Sequence, residues 1–221
     1  MLFAHEVELR ETYDGWIRDP GVRVARTAPG DGGVCVLGVD PGTRVAGYAV
    51  LVLRGGVLTC RALGEVTLPA AWSLPRRLGR LSLEITQLVR LHRPDGVAVE
   101  QAIYAQNVRT ALALGQARGV VVGAAALLGA EVFEYSPREV KRAITGNGAA
   151  SKQQVQGMVR RLLALAGTPG MDEADAAALA YCHLERSAKR PELVAPVVRL
   201  RRTSRWTASD VERLRAEGRV R

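Results

Sequence analysis

Residues 34–53 read VCVLGVDPGTRVAGYAVLVL. Two apolar runs flank Pro41-Gly42, a pair that sets up a tight turn. Each run alternates or is continuously apolar, as buried strands are. A strand pair explains every residue here except Asp40. The end of a buried strand has no need of a carboxylate, so Asp40 requires a reason of its own.

The neighbouring segments extend this pair into a sheet. Residues 57–67 read as a third strand, joined through Gly55-Gly56 as in a hairpin. Beyond it, Leu74, Leu78, Leu81, Ile85, Leu88 and Val89 recur at helical spacing until Pro94 ends the helix. GVAVE, residues 96–100, is a short buried strand. A helix is expected from about Val108 to Leu128, a strand at VFEY (132–135), and a short helix opened by Pro137. Ser151 and Gln154 form a capping-box signature for a helix over 151–166. GTPG, residues 167–170, breaks it, and a last helix starts near Asp172 and runs through Leu184. Three consecutive strands followed by alternating helix and strand define an α/β domain, a mixed five-stranded sheet flanked by helices.

The chain has 221 residues, 48% of them hydrophobic, which suits one domain with a full core. Its net charge of +9 is unevenly spread. Residues 1–33 carry a net of −2 and residues 185–221 a net of +6. The expected organisation is a poorly ordered extension over 1–33, the folded domain over 34–187 and a basic tail over 188–221. In the tail, Ser209 and Glu212 could open a short helix near 209–217. A basic chain with a basic tail favours a polyanionic partner, most often nucleic acid; a solubility tail is the plainer alternative. Cys35, Cys60 and Cys182 form no CxxC and no zinc pattern, so reduced thiols in a cytoplasmic protein are expected. No apolar run is read as long enough to span a membrane, and the N-terminus has no signal-peptide core.

The acids fall at chosen places. Asp40 and Glu100 each end a strand, and ligands of open α/β sheets gather at strand ends. Asp172 and Asp175, at i and i+3, share one face of an alanine-rich helix. Four acids on buried elements repel one another unless protons or cations compensate. Hard divalent cations fit an all-oxygen set, and Mg²⁺ takes few carboxylates plus phosphates and water. Each acid also has a structural use: Asp40 capping a turn, Asp172 capping a helix, Asp175 sitting in its first turn. Glu100 lacks one. Glu173 is read as solvated.

Lys141 and Lys152 flank a glycine-rich loop, and Lys152 lies just inside a helix N-terminus, where N–H groups also favour anions. Together they could hold a phosphodiester. Arg76 and Arg77 open a helix, where the macrodipole disfavours cations; that placement hints at an outside anion. Arg109 and Arg118 could join the same face. Gly115, Gly119 and Gly123 make a stripe at four-residue spacing. It suits close approach by another backbone, either this protein's own sheet or a second subunit.

Taken together, LGVDPGTRVAGYAV, VAVEQAIYAQN, ALALGQARGV, VFEYSPREVKRAITGNGAASKQQVQGMV and DEADAAALAYCH resemble the RuvC-type Holliday junction resolvases in order and spacing. The resemblance runs from Val34 to Leu184 and implies an RNase H-like fold. The family's metal-binding acids fall on Asp40, Glu100, Asp172 and Asp175, and its functional lysines on Lys141 and Lys152. It implies two Mg²⁺ ions per site, with Mn²⁺ as a substitute, and attack by a metal-activated water, without a Ser or Cys nucleophile. It further implies a homodimer that nicks two strands of a four-way DNA junction symmetrically in recombination and repair, with the RuvA–RuvB branch-migration complex as partner. One position departs. Where the family commonly stacks a phenylalanine on junction bases, Ile103 stands and Tyr104 follows, so Tyr104 is the expected stacking residue. Two rivals use related features. The first turn also resembles the phosphate loop of actin-like ATPases, but the chain is short and has no second Asp-Gly loop. A catalytically silent junction binder is the other, and the presence of all four acids argues against it.

Overall fold

The computed structural model describes residues 33–101, 108–189 and Pro196. The expectations for the N-terminal extension, for Ile103 and Tyr104, and for the tail helix fall outside them. Five strands are formed: β1 (Val34–Asp40), β2 (Val45–Arg54), β3 (Val57–Thr67), β4 (Gly96–Glu100) and β5 (Glu131–Tyr135). They lie in the order β3-β2-β1-β4-β5. The first three are antiparallel, and β1-β4 and β4-β5 are parallel. This is the expected mixed sheet.

Helices cover both faces. α1 (Leu74–His92) and α2 (Val108–Leu127) share one core with Leu37, Val39, Val97 and Val99. α3 (Pro137–Thr145), α4 (Lys152–Leu162) and α5 (Met171–Lys189) cover the other, over Val36, Ala49, Leu51 and Ala98. The alternation of strand residues between these cores follows from the two-residue period of a strand. It also places Gly38, Asp40, Gly47 and Glu100 on the α5 side of the sheet.

Local signals set most boundaries. Ser136–Glu139 and Ser151–Gln154 both close full capping boxes. Two helix ends differ from expectation. α4 stops at Leu162 rather than 166, because Ala164 turns left-handed (φ 47°) and the Leu165 N–H closes back on the Arg160 carbonyl at 3.0 Å. α5 runs on to Lys189, past the expected end at Leu184, and its last turn is held by Lys189 and Glu185 at 2.5 Å. Contrary to the membrane reading, the 20-residue α2 is long and apolar enough to cross a bilayer by length and composition. Here it lies along α1 and β5 with Ala117, Val121, Ala124 and Ala125 in the core.

The three thiols are free; Cys35 and Cys182 are buried and Cys60 half-buried. Burial pushes Cys60 up to about 11 and Cys182 up to about 12, which makes both poor nucleophiles.

α5 rests on the sheet backbone to backbone. A methyl group at Gly38 would overlap the Ala176 carbonyl oxygen, and one at Gly47 the Asp172 carbonyl oxygen. Gly38→Ala should therefore cost about 1–3 kcal/mol or more, the range for overpacking. Gly157→Ala, in the interior of α4 where an added methyl meets nothing, should gain up to about 1 kcal/mol from helix propensity. Urea denaturation of both variants checks this; equal effects would remove the close contact as the distinguishing cause.

Candidate metal and nucleic-acid site

β1 and β4 are parallel neighbours with Val39 opposite Val99, so Asp40 and Glu100 stand side by side one residue further on. Asp40 pairs with Gly47, and Gly47 with Glu65, on the other side; Glu100 pairs with Tyr135. One cross-strand row thus reads Glu65–Gly47–Asp40–Glu100–Tyr135. The start of α5 sits over the bare Gly47 and brings Asp172 and Asp175 above this row.

The charges respond to one another. Burial, then Glu100, Asp175 and Asp172, push the Asp40 carboxyl from 3.8 up to about 7, partly opposed by Lys152. Glu100 is raised by burial and then Asp175, against the pull of Lys152 and Lys141. Lys152 Nζ donates to Asp175 Oδ2 at 3.0 Å, and this bond raises the lysine further.

The structural uses considered for these acids mostly fall to other residues. At the start of α5 the Gly170 N–H donates to Glu173 Oε2 at 2.7 Å. Glu173, expected to be solvated, is the residue that caps, and Asp172 is left for the cluster. Among the described residues, no N–H of its own turn donates to Asp40. Sequence reasoning missed Glu65 on β3, whose carboxyl is raised by burial, Asp172 and Glu173. Its signal was its pairing with Gly47, which only the register reveals.

Two clefts flank the cluster. The first, about 310 Å³, is walled by Lys141, Lys152, Val140 and Leu179 and floored by Asp40, Glu100 and Asp175. The second, about 280 Å³, lies between Asp40, Glu100 and Asp172 and the α2 residues Leu114, Gly115 and Arg118. Arg118 is engaged by Glu134. The pair Arg76 and Arg77 separates: exposed Arg76 stacks on Trp72, 4.1 Å from its ring centre, whereas Arg77 Nη1 donates to the Thr43 carbonyl at 2.5 Å. Arg77 thus clamps the turn behind Asp40. Among the described residues, added methyls at Gly115, Gly119 and Gly123 meet nothing, so the glycine stripe of α2 faces away from the sheet. The self-packing reading of the stripe is therefore corrected.

The donor set suits a hard divalent cation: oxygen only, partly buried, and mutually repelling until compensated. Among the described residues, no three His, Cys, Asp or Glu side chains stand as a ready-made cage. An open set of this kind fits an ion that keeps several waters and takes its remaining oxygens from a phosphate. Asp40, Glu100, Asp172 and Asp175 would hold it.

Fold and site together define an RNase H-like α/β protein whose acids gather at the ends of β1 and β4. The sequence profile of the family described as "Crossover junction endodeoxyribonuclease RuvC" matches residues 36–183, and the chain belongs to that family. A protein of that name from Rubrobacter xylanophilus is 49% identical over 149 residues, covering 67% of this chain and 83% of that one. Another, from Chlorobium chlorochromatii, is 44% identical over 170 residues, covering 76% and 88%. The solved T. thermophilus RuvC in complex with a Holliday junction substrate superposes with a TM-score of 0.69 at 31% identity, over 74% of this chain and 99% of that one. The yeast mitochondrial resolvase Ydc2 shares the fold at 14% identity and a TM-score of 0.53.

The raised acids give the metal-free protein a definite pH dependence. Between about pH 4 and 7 folded Asp40 keeps a proton that the unfolded chain has released, so stability falls as pH rises through that window. Glu100 acts in the same direction. In EDTA, Asp40→Asn should be at least as stable as the parent near neutral pH and lose part of this decline. Thermal unfolding across the window tests it, and an unaltered pH slope in the variant would remove Asp40 as its source.

Proposed function

We propose that this chain is a crossover junction endodeoxyribonuclease, resolving four-way DNA junctions by paired nicks during recombination and repair. The observation that carries the reading is the convergence of Asp40, Glu100, Asp172 and Asp175 beside a cleft walled by Lys141 and Lys152. Two Mg²⁺ ions, or Mn²⁺ in their place, held by the four acids would supply charge neutralisation and water activation at the scissile phosphate. Lys141 and Lys152 hold the phosphodiester against the acids. Lys152 is paired with Asp175 in the metal-free protein, and with an ion held by Asp175 its ammonium would be available to the phosphate. The acids would hold the ions that offset the charge developing on the entering and leaving oxygens. Arg77 fixes the turn after Asp40, and Arg76 and the basic tail add phosphate contacts that position without reading sequence. Tyr104 stacks on bases at the crossover.

Symmetric nicking requires two such sites, and α2 supports a homodimer. Val108 and Leu112 are 76% and 66% exposed, beside the open stripe at Gly115 and Gly119. An exposed apolar helix face with small residues suits close packing against its own copy. The enzyme works in the cytoplasm, with the RuvA–RuvB branch-migration complex as its partner.

Cleavage of a mobile four-way junction against linear duplex, with and without Mg²⁺, tests the activity. Asp40→Asn, Glu100→Gln, Asp172→Asn and Asp175→Asn should each lower nicking by orders of magnitude, whereas junction binding in Ca²⁺ persists, because affinity comes mainly from phosphate contacts elsewhere. Lys141→Ala and Lys152→Ala should slow nicking as well. Near-normal nicking by an acid variant strikes that acid from the site, and equal cutting of linear duplex overturns the junction assignment. Leu112→Glu should shift the protein toward monomer in analytical ultracentrifugation and replace paired by single nicks; an unchanged dimer would place the subunit contact elsewhere.

A further inference from the structure

α5 carries half of the acids, yet its contact with the sheet is smooth. Five of its nine buried residues are alanine; Ala176 and Ala180 lie on Gly38, and the backbone of Asp172 and Glu173 lies on Gly47. Small residues allow close approach but provide few ridges to lock into grooves, so the packing fixes distance better than rotation. The rotation matters. Carboxylates stand roughly 5–6 Å from a helix axis, so a turn of about 10° moves them by about 1 Å.

A directional contact exists two turns further along the same face. His183 is eight residues beyond Asp175 and eleven beyond Asp172, within the arc that faces the sheet. Its Nδ1 lies 2.7 Å from the Tyr135 hydroxyl. Its Nε2 lies 3.3 Å from Ser187 Oγ, and its ring packs on Phe133 with centroids 4.2 Å apart. Both partners are buried, His183 at 5% and Tyr135 at 4% exposure. Burial lowers His183 to about 4 and raises Tyr135 well above the phenol range. The imidazole is therefore neutral, and the tautomer that serves both nitrogens has Nε2–H donate to Ser187 Oγ and the Tyr135 hydroxyl donate to Nδ1. Tyr135 is itself the strand partner of Glu100, so this one bond ties the Glu100 end of the sheet to the helix of Asp172 and Asp175. Two further polar ties join α5 to neighbouring helices, Arg186 to Glu139 of α3, about one-third exposed on both sides, and Asp175 to Lys152 of α4, whose side chain is 63% exposed; solvent weakens the hold of both.

We propose that Tyr135 and His183 are a positioning pair that sets the rotation of α5 and thereby the placing of Asp172 and Asp175 against Asp40 and Glu100. The inference rests on the metal-site reading above.

Three variants isolate the bond. Tyr135→Phe removes the hydroxyl and keeps the ring. His183→Leu removes the acceptor. His183→Asn loses the ring but places an amide oxygen close to where Nδ1 stood, so it can still accept from Tyr135. Mn²⁺ binding to the metal-free full-length protein is measured by calorimetry, with circular dichroism reporting the folded fraction. The Mg²⁺ midpoint of junction nicking and junction binding in Ca²⁺ are measured alongside. Tyr135→Phe and His183→Leu should weaken Mn²⁺ binding and raise the Mg²⁺ midpoint by about tenfold, as displacements near 1 Å can cost up to about a hundredfold. Junction binding should be unchanged. His183→Asn should stay within about twofold of the parent in both metal readouts although its melting temperature falls. A purely structural role predicts the opposite grouping, with His183→Asn and His183→Leu equally impaired, and that result overturns the proposal. So does parental Mn²⁺ binding by folded Tyr135→Phe; should that variant not fold, the His183 comparison decides alone. If the parent fails to bind Mn²⁺, or Asp40→Asn binds as the parent does, the metal-site reading itself falls and takes this one with it.

Discussion

The contact between the backbone of α5 and the backbone of the sheet at Gly38 and Gly47 is the constraint on which the site depends. Asp40 and Glu100 are brought together by strand pairing, which any parallel β1-β4 ladder would do. Asp172 and Asp175 arrive only because the helix can lie directly on bare backbone. A side chain at Gly47 would lift the start of α5 where its first acid must meet the row of carboxylates. Two glycines that weaken strand propensity are thus the condition for the four-acid cluster.

Those acids cost stability. Ionising Asp40 beside Glu100, Asp175 and Asp172 is unfavourable in the metal-free protein, as its rise to about 7 records. Lys152 offsets part of this through Asp175, and Lys141 and Lys152 ease the charge on Glu100. The remainder is what a divalent cation would relieve, so the same repulsion that destabilises the fold without metal becomes metal affinity. A fold that wanted only caps would not assemble this cluster, and at the start of α5 the capping is done by Glu173.

Much of this was legible in the sequence because it is written in local periods. The five strands, the order of helices, the Ser151–Gln154 capping box and the placing of the four acids follow from hydrophobic spacing and turn chemistry, whereas the Ser136–Glu139 box went unread behind Pro137. What was not legible depends on contacts distant along the chain. Arg77 reads as a cation at a helix start, and only the fold brings it to the Thr43 carbonyl. Glu65 reads as one acid of a mixed strand until β2-β3 register sets it against Gly47. The glycines of α2 have the spacing of a packing stripe, but spacing alone cannot say whether the partner is this protein's own sheet. The end of α4 was misjudged because apolar residues continue past Leu162 while the backbone at Ala164 turns left-handed.

The charge around the acids also favours one direction of approach for a phosphate. The two clefts share Asp40 and Glu100 as a common wall. On the α2 side the nearby guanidinium, Arg118, is already neutralised by Glu134, and apart from the acids the rest of the lining is uncharged, Leu114 and Gly115 included. On the α3–α4 side Lys141 faces the acids, and Lys152 is held by only one of them, on a side chain still 63% exposed. A polyanion gains charge compensation on the second side and almost none on the first. The cleft of Lys141 and Lys152 is therefore suited to the phosphate, while the quieter cleft leaves the start of α2 free for a contact that needs no charge.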